Sequence, residues 1–120
     1  MKRIWTNHGN LVQVFGKGIL ILASPGGGKT NLTLQLLDRG HYFISDDLVE
    51  FEMRETQLFG KRPILEPLLH SRSRGFLNIS LLYPHQHLKE TPIDYVIELQ
   101  SPIPKLRSLR YIDEKTYGQG

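Results

Sequence analysis

The sequence predicts an α/β fold in which strands outnumber helices and form a sheet around one helix that follows a glycine-rich loop. The segment 17–22 is an almost unbroken apolar run, which is typical of a strand buried on both faces. A glycine-rich loop occupies 23–30, and leucines then recur at helical spacing over 32–37 before Gly40. Strand, glycine loop and helix therefore follow one another in the order of a phosphate-binding P-loop.

The remaining predicted elements are short strands. The segment 11–15 predicts a strand, and a tight turn at 16–18 connects it to the 17–22 strand as a hairpin. Further strands are predicted at 41–45, 49–53, 57–59, 76–80 and 95–99, the second and third of these as a hairpin. A length of 120 residues predicts a single domain, spanning 1–120.

The glycine-rich loop has the chemistry of a phosphate site. We predict that the nucleotide is bound by Ala23, Ser24, Pro25, Gly26, Gly27, Gly28, Lys29 and Thr30. Successive glycines let backbone N–H groups turn toward an anion, Lys29 can reach the β- and γ-phosphates, and Thr30 offers its hydroxyl to magnesium. The alternative is a glycine-rich turn that precedes Lys-Thr by chance, since Ala23 replaces the first glycine of the common pattern. The motif predicts a nucleoside triphosphate and does not distinguish ATP from GTP.

Two adjacent aspartates, Asp46 and Asp47, follow the predicted strand at 41–45. Ligands of open α/β sheets bind at the carboxyl ends of strands. Phosphoryl transfer needs a carboxylate to hold magnesium and another to accept a proton from the attacking hydroxyl, so the two aspartates can divide these roles. The alternative is a surface turn or a helix N-cap, where aspartate is also favoured.

Composition excludes several classes of function. The chain has no cysteine, which rules out disulfides, thiolate metal sites and a cysteine nucleophile. The net charge of +3 is modest and the basic residues are scattered, so nucleic acid is not a predicted partner. No apolar run approaches the roughly 20 residues that span a bilayer, and the first residues lack the apolar core of a signal peptide. We therefore expect a soluble, cytoplasmic protein with no membrane partner.

Three groups of residues together resemble the catalytic domain of bacterial HPr kinase/phosphorylase. They are His8-Gly9 before the P-loop, Arg39-Gly40-His41 after the helix, and Asp46-Asp47 after the next strand. The match runs in register without gaps from His8 to Asp47. This constellation is far more specific than a P-loop alone.

The resemblance implies a P-loop fold akin to phosphoenolpyruvate carboxykinase. It also implies an enzyme that uses ATP and magnesium to phosphorylate a serine of the phosphocarrier protein HPr, in control of sugar phosphotransfer, and that in many members removes this phosphate by phosphorolysis. Carried onto this sequence, His8 and Lys29 are active-site residues, Asp47 is the general base and Thr30 takes the magnesium-binding hydroxyl position. From its place in the aspartate pair, Asp46 is assigned to the catalytic site and to magnesium. Arg110 is favoured over Arg107 as the catalytic arginine, and a hexamer is the implied assembly.

The sequence also departs from the family pattern. The second signature of the family, E-x-R-G-x-G-I-I-[DN], corresponds to 70–78, where Arg72, Gly75 and Asn78 match but His70 replaces a magnesium-binding glutamate. The family's N-terminal domain and C-terminal end are not in the printed sequence, so the resemblance favours kinase over phosphorylase activity. Two alternatives stay open, namely a degenerate P-loop protein that binds nucleotide as a regulatory switch without phosphotransfer, and a module that binds a phosphocarrier protein without modifying it.

Overall fold

The computed structural model describes residues 3–24, 28–99 and 105–108. Strands far outnumber helices in these residues, as the sequence predicts. The elements are β1 (Arg3–His8), β2 (Asn10–Val14), β3 (Lys17–Ala23), α1 (Lys29–Asp38), β4 (Tyr42–Ser45), β5 (Leu48–Arg54), β6 (Gln57–Lys61), β7 (Leu68–Ser71), β8 (Gly75–Asn78), α2 (Ile79–Leu82), β9 (Glu90–Pro92), β10 (Tyr95–Leu99) and β11 (Lys105–Ser108).

The strands form three sheets. One sheet has the order β1-β5-β6-β9, a second has the order β11-β10-β3-β2-β4, and β7 pairs with β8 alone. The predicted hairpins are both confirmed, since β2 pairs antiparallel with β3 and β5 with β6. Because β2 is antiparallel to both β3 and β4, the carboxyl ends of β3 and β4 lie at the same edge of the five-stranded sheet. That edge carries both Ala23, the last residue of β3, and the aspartate pair that follows β4.

Two apolar clusters hold the layers together. The larger cluster joins residues of the two main sheets: Trp5, Leu11, Leu20, Ile44, Val49, Phe51, Leu58, Ile93 and Val96. The smaller cluster consists of Leu37 of α1 with Phe43, Leu69 and Ile79. Helix α1 therefore packs on the five-stranded sheet beside the β7–β8 hairpin, and burial of these side chains is the main stabilising contribution.

Helix α1 ends as the sequence predicts. Gly40 adopts a left-handed conformation with φ of 92°, and its N–H donates to the carbonyl of Leu37 at 3.0 Å. The next amide, that of His41, donates to the Leu36 carbonyl at 3.1 Å, which satisfies the last turn. The fully buried positions of the helix are Thr33 and Leu37, so the buried stripe includes a hydroxyl among the leucines.

The predicted strand at 76–80 is too long by two residues. Strand β8 ends at Asn78, and the helix α2 begins at Ile79. The cause is a helix N-cap, because Asn78 Oδ1 accepts a hydrogen bond from the Ser80 N–H at 3.0 Å. Strands β1, β7, β9 and β11 were not among the predicted elements.

One ion-pair network links β5 to β9. The Arg54 guanidinium donates to both carboxylate oxygens of Glu90, at 2.7 and 2.9 Å, and to the buried Glu52 at 2.8 Å. These hydrogen bonds hold the pKa of Glu90 below its usual range. A carboxyl whose pKa is depressed by folding contributes stability above its unfolded pKa, which is about 4.5, and loses that contribution as the pH falls through its folded pKa.

We expect Glu90→Gln to lower the melting temperature at pH 7 by a small amount, because the pair is partly exposed to solvent. Below pH 4 the difference from the parent protein should shrink. Thermal unfolding followed by circular dichroism at both pH values measures this, with Glu66→Gln on the exposed 63–66 segment as the control. A difference that stays the same at both pH values would contradict the assignment.

Candidate active site

The amino end of α1 is arranged to receive an anion. Gly28 is its N-cap, with φ of 100°, a left-handed conformation that glycine adopts without strain. Among the residues that the structure describes, no side chain makes a capping hydrogen bond at this end of the helix. The first backbone N–H groups of α1 therefore keep their hydrogen-bonding capacity for a ligand, and the helix dipole favours negative charge there.

A cavity of about 290 Å³ opens at this helix end. Four of its lining residues come from the start of α1 and three from the β7–β8 turn: Gly28, Lys29, Thr30, Asn31, Ser71, Arg72 and Ser73. Backbone amides, hydroxyls and two cationic side chains surround the space, which is the set of donors that phosphate groups require. The predicted phosphate-site residues Gly28, Lys29 and Thr30 thus share one cavity.

The aspartate turn approaches the same helix end from β4. Asp47 lies in the left-handed region with φ of 68°, which aspartate tolerates better than most residues. Its N–H donates to Asn10 Oδ1 at 2.8 Å, and its carbonyl accepts from the Gly9 N–H at 3.0 Å. Lys29 Nζ lies 3.7 Å from Asp47 Oδ1. The lysine and the carboxylate predicted to act together are therefore adjacent, and the aspartate side chain is 71% exposed.

Asp46 is half-buried and faces a different set of groups. Burial raises the pKa of its carboxyl, and the charge of Asp47 adds to the rise. Hydrogen bonds from the His70 N–H, at 2.9 Å, and from Asn10 oppose it, as does the charge of Lys29. Burial outweighs these effects, so the pKa of Asp46 is raised. A cation bound nearby would stabilise the ionised form of this carboxyl.

His8 is the last residue of β1 and is exposed. Its Nδ1 lies 3.3 Å from the carbonyl oxygen of Asp47, so the structure brings this predicted residue to the aspartate turn. Gly9 follows with φ of 150°, and a Cβ at this position would lie 2.9 Å from Leu20 Cδ1. Glycine is therefore required at position 9, since the chain crosses from β1 to β2 against the core at this point.

His70 contacts both predicted metal ligands through its backbone. Its N–H donates to Asp46, and its carbonyl accepts a long 3.5 Å hydrogen bond from Thr30 Oγ1. The exposed imidazole packs edge-on against Phe76, with ring centroids 5.0 Å apart. The backbone of this residue therefore helps to shape the site.

Comparison with known proteins identifies the family of this chain. The family model described as HPr Serine kinase C-terminal domain matches residues 2–117. The chain belongs to this family. Proteins named HPr kinase/phosphorylase from Caldicellulosiruptor bescii and Mycoplasmopsis pulmonis are 39% and 40% identical to it over 80% and 78% of its length. The chain spans about a third of those relatives, 32% and 31%.

A solved structure supports the same relationship. The Hpr(Ser) kinase/phosphatase from Coxiella burnetii superposes with a TM-score of 0.77 at 26% identity, over 82% of this chain and 61% of that one. The strand-rich α/β fold expected from the resemblance is thus confirmed. In this member of the HPr kinase family, the segment 70–78 lies on the β7–β8 hairpin, across the cavity from the start of α1.

Sequence reasoning did not assign a role to four residues of this HPr kinase domain that line the cavity. They are Asn31 of α1 and, on the β7–β8 hairpin, Ser71, Arg72 and Ser73. The signal that could have located the last three was the match of Arg72 to the second family signature, together with the proximity of that segment to His70. Their distance along the chain from Lys29 explains why no local pattern connected them with the phosphate loop.

Some predicted residues lie outside the described part of the chain. They are Pro25, Gly26, Gly27 and Arg110; Ala23 and Ser24 are described at the end of β3, leading toward the loop. Within 3–24, 28–99 and 105–108, no three His, Asp or Glu side chains converge as a metal cluster. No helix in those same segments has the length and apolar character needed to cross a membrane.

Proposed function

We propose that this chain is the catalytic domain of an ATP-dependent serine kinase whose substrate is an HPr-type phosphocarrier protein. The observation that carries the proposal is the 3.7 Å approach of Lys29 to Asp47 at an anion-receiving helix end. A lysine there offsets the charge of the transferring phosphoryl group, and a carboxylate beside it accepts the proton of an attacking hydroxyl. Residues 1–120 act as one domain in this proposal, with the P-loop variant fold related to phosphoenolpyruvate carboxykinase.

Each residue of the site has a distinct task. The loop from Ala23 to Gly28 and the first N–H groups of α1 bind the phosphates, and Lys29 reaches the β- and γ-phosphates. Asp47 holds the serine hydroxyl and takes its proton as the serine oxygen bonds to the γ-phosphorus, while the bond from that phosphorus to the bridging oxygen breaks and ADP leaves. His8 stands next to the Asp47 carbonyl, where it orients the aspartate turn or the incoming substrate. In the reverse reaction, Asp47 returns the proton.

The residues present fit a magnesium ion. Mg²⁺ prefers oxygen ligands and is commonly held by one or two carboxylates or hydroxyls together with phosphate oxygens and water. Thr30 Oγ1 and the Asp46 carboxylate are such ligands, and both meet the backbone of His70. When bound, the ion neutralises negative charge on the β- and γ-phosphates. Burial raises the pKa of Asp46, and a bound cation would offset this by stabilising the carboxylate form.

Transfer of labelled γ-phosphate from ATP to a purified HPr-type protein in the presence of magnesium tests the proposal. We expect label on a serine of the carrier, with no transfer to a carrier in which that serine is replaced by alanine. Nucleotide binding without any transfer would overturn the kinase assignment in favour of a P-loop regulatory protein. We also propose that the protein forms a homo-oligomer. A measurement of its native mass in solution tests this.

Replacement of His70 tests the magnesium assignment. We expect His70→Glu to shift the midpoint of the magnesium dependence to a several-fold lower concentration, because a carboxylate is a better ligand than imidazole for this hard cation. The exposed side chain leaves room for the change. The control is His85→Glu, which makes the same change of charge away from the site. The neighbouring Gln86 side chain donates to the Leu37 carbonyl, so this position lies near the opposite end of α1. Equal shifts in both variants would contradict the assignment.

A further inference from the structure

Asn10 is a buried amide at the centre of the candidate site. It is the first residue of β2, its exposed fraction is 0%, and neighbouring positions of the strand are apolar. A buried amide costs free energy unless its polar atoms are hydrogen-bonded. Its use at this position therefore calls for a role that an apolar residue would not fill.

The hydrogen bonds of Asn10 connect the aspartate turn to the phosphate helix. Its Oδ1 accepts from the Asp47 N–H at 2.8 Å, and its Nδ2 donates to Thr33 Oγ1 at 3.0 Å. Thr33, also buried, donates its hydroxyl to the Lys29 carbonyl at 2.8 Å. A short chain of hydrogen bonds thus runs from the backbone of Lys29 to the backbone of Asp47.

The orientation of this amide is determined from both ends. The Thr33 hydroxyl gives its hydrogen to Lys29, so it must accept from Asn10, and the Asp47 N–H can only donate. Both constraints place Nδ2 toward the helix and Oδ1 toward Asp47. Neither leucine nor valine can supply this donor and acceptor pair.

The geometry points to Asn10 as a positioning residue that sets the distance between Lys29 and Asp47; this inference rests on the function proposed above. Asp47 occupies a left-handed conformation that is uncommon for residues other than glycine, and the Asn10 hydrogen bond fixes its N–H in that turn. The carboxylate is therefore presented from a backbone tied to the same helix that presents the lysine. A displacement of about 1 Å in such a pair is enough to lower a rate 10²-fold.

Asn10→Leu removes the hydrogen bonds of the amide to Asp47 and Thr33, and with them its hydrogen bond to Asp46, at similar volume. Gln13→Leu is its matched control. Gln13 lies on the same strand and also donates its side-chain amide to a threonine at 3.0 Å, but this threonine, Thr91, belongs to β9 and not to the site. We expect Asn10→Leu to lower kcat for phosphotransfer about 10²-fold while the Kd for ATP changes less than about threefold. Gln13→Leu should keep kcat within about twofold of the parent.

A second measurement does not depend on activity. Hydrogen exchange followed by NMR should show the Asp47 amide exchanging at least about tenfold faster in Asn10→Leu, with the Leu20 amide of β3 unchanged relative to the Gln13→Leu protein. If Asn10→Leu does not fold, Asn10→Ala serves in both measurements. Equal losses of kcat in the Asn10 and Gln13 variants, or an unchanged Asp47 amide, would overturn the inference. A parent protein that transfers no phosphate would instead overturn the proposed function, while the exchange measurement would still decide whether Asn10 anchors Asp47.

Discussion

Replacing Asp47 with asparagine is expected to lower phosphotransfer by 10²- to 10⁴-fold, the range that general base catalysis contributes. Asparagine is the better test than alanine, because Asp47 has a φ of 68° and asparagine tolerates that conformation. The hydrogen bonds of the Asp47 backbone to Asn10 and Gly9 would then persist. What is lost is the negative charge to which the proposed mechanism assigns proton acceptance.

Nucleotide binding should not weaken in Asp47→Asn, and it should tighten slightly. The Asp47 carboxylate is 3.7 Å from Lys29, so it competes with the phosphates for that cation, and its removal frees the lysine. The effect is small, since the carboxylate is mostly exposed and screened by solvent. Titration of ATP binding together with the transfer assay measures both quantities. Full phosphotransfer by Asp47→Asn would show that another group is the base.

The two aspartates differ in exposure, and this is why Asp47→Asn should affect the proposed base without affecting the proposed magnesium ligand, Asp46. Asp46 is half-buried and accepts from the His70 N–H, whereas the Asp47 side chain extends into solvent from a turn held by its backbone. A residue on an exposed turn can reach a macromolecular substrate. The buried neighbour is better placed to hold a cation against the phosphates.

Local sequence patterns predicted the elements that carry Lys29 and the aspartate pair. The strand β3, the turn into it from β2, helix α1 and its end at Gly40 all depend on residues close together in the chain, and all were predicted. The placement of Asp46 and Asp47 followed from the same logic, because they directly succeed the short apolar strand β4. Nearby residues determine these features, so periodicity and turn chemistry are sufficient.

The features that sequence patterns missed depend on distant partners. Strand β1 is an edge strand in which only Trp5 is buried, so its composition carries little alternation, although it delivers His8 to the site. The role of Asn10 rests on residues 23 and 37 positions away, Thr33 and Asp47. Arg72 faces the phosphate helix only because the β7–β8 hairpin folds against it. No local rule connects these pairs.

Arg62 illustrates the same limit away from the site. Its half-buried guanidinium donates to the carbonyls of Ile44 and Leu88 at 2.9 and 3.1 Å, and to those of Ile64 and Leu65 at 3.2 Å. Burial lowers the pKa of this arginine, while the carbonyls satisfy its donors. In the sequence, Arg62 is one of several scattered basic residues. Only the fold shows that its guanidinium connects β4 with the segment 63–66 that follows Arg62.

Lys29→Ala is the second change with a large expected effect, and it differs from Asp47→Asn by reducing binding as well as transfer. Lys29 begins α1, where alanine is an excellent helix former, so the helix should remain intact. A hydrogen bond between charged partners is worth about 1.5–3 kcal/mol, which corresponds to a roughly 10- to 150-fold weaker Kd for ATP. Transfer should fall further, by about 10²- to 10³-fold at saturating nucleotide, because negative charge develops on the leaving phosphate oxygen in the transition state and Lys29 would stabilise it.

The matched control for this change is Lys17→Ala, which removes an exposed lysine from the other end of β3, the strand that leads into the P-loop. Both variants reduce the net charge of the protein by one, so a general electrostatic effect on ATP would appear in each. Only Lys29 lies beside the cavity and within 3.7 Å of the predicted base. An ATP Kd for Lys29→Ala within about twofold of that for Lys17→Ala would mean that Lys29 does not reach the phosphates. If Lys29→Ala weakens ATP binding but leaves the rate at saturating ATP unchanged, Lys29 is a binding residue only. Arg72, which also lines the cavity, would then be the candidate for stabilising charge in the transition state.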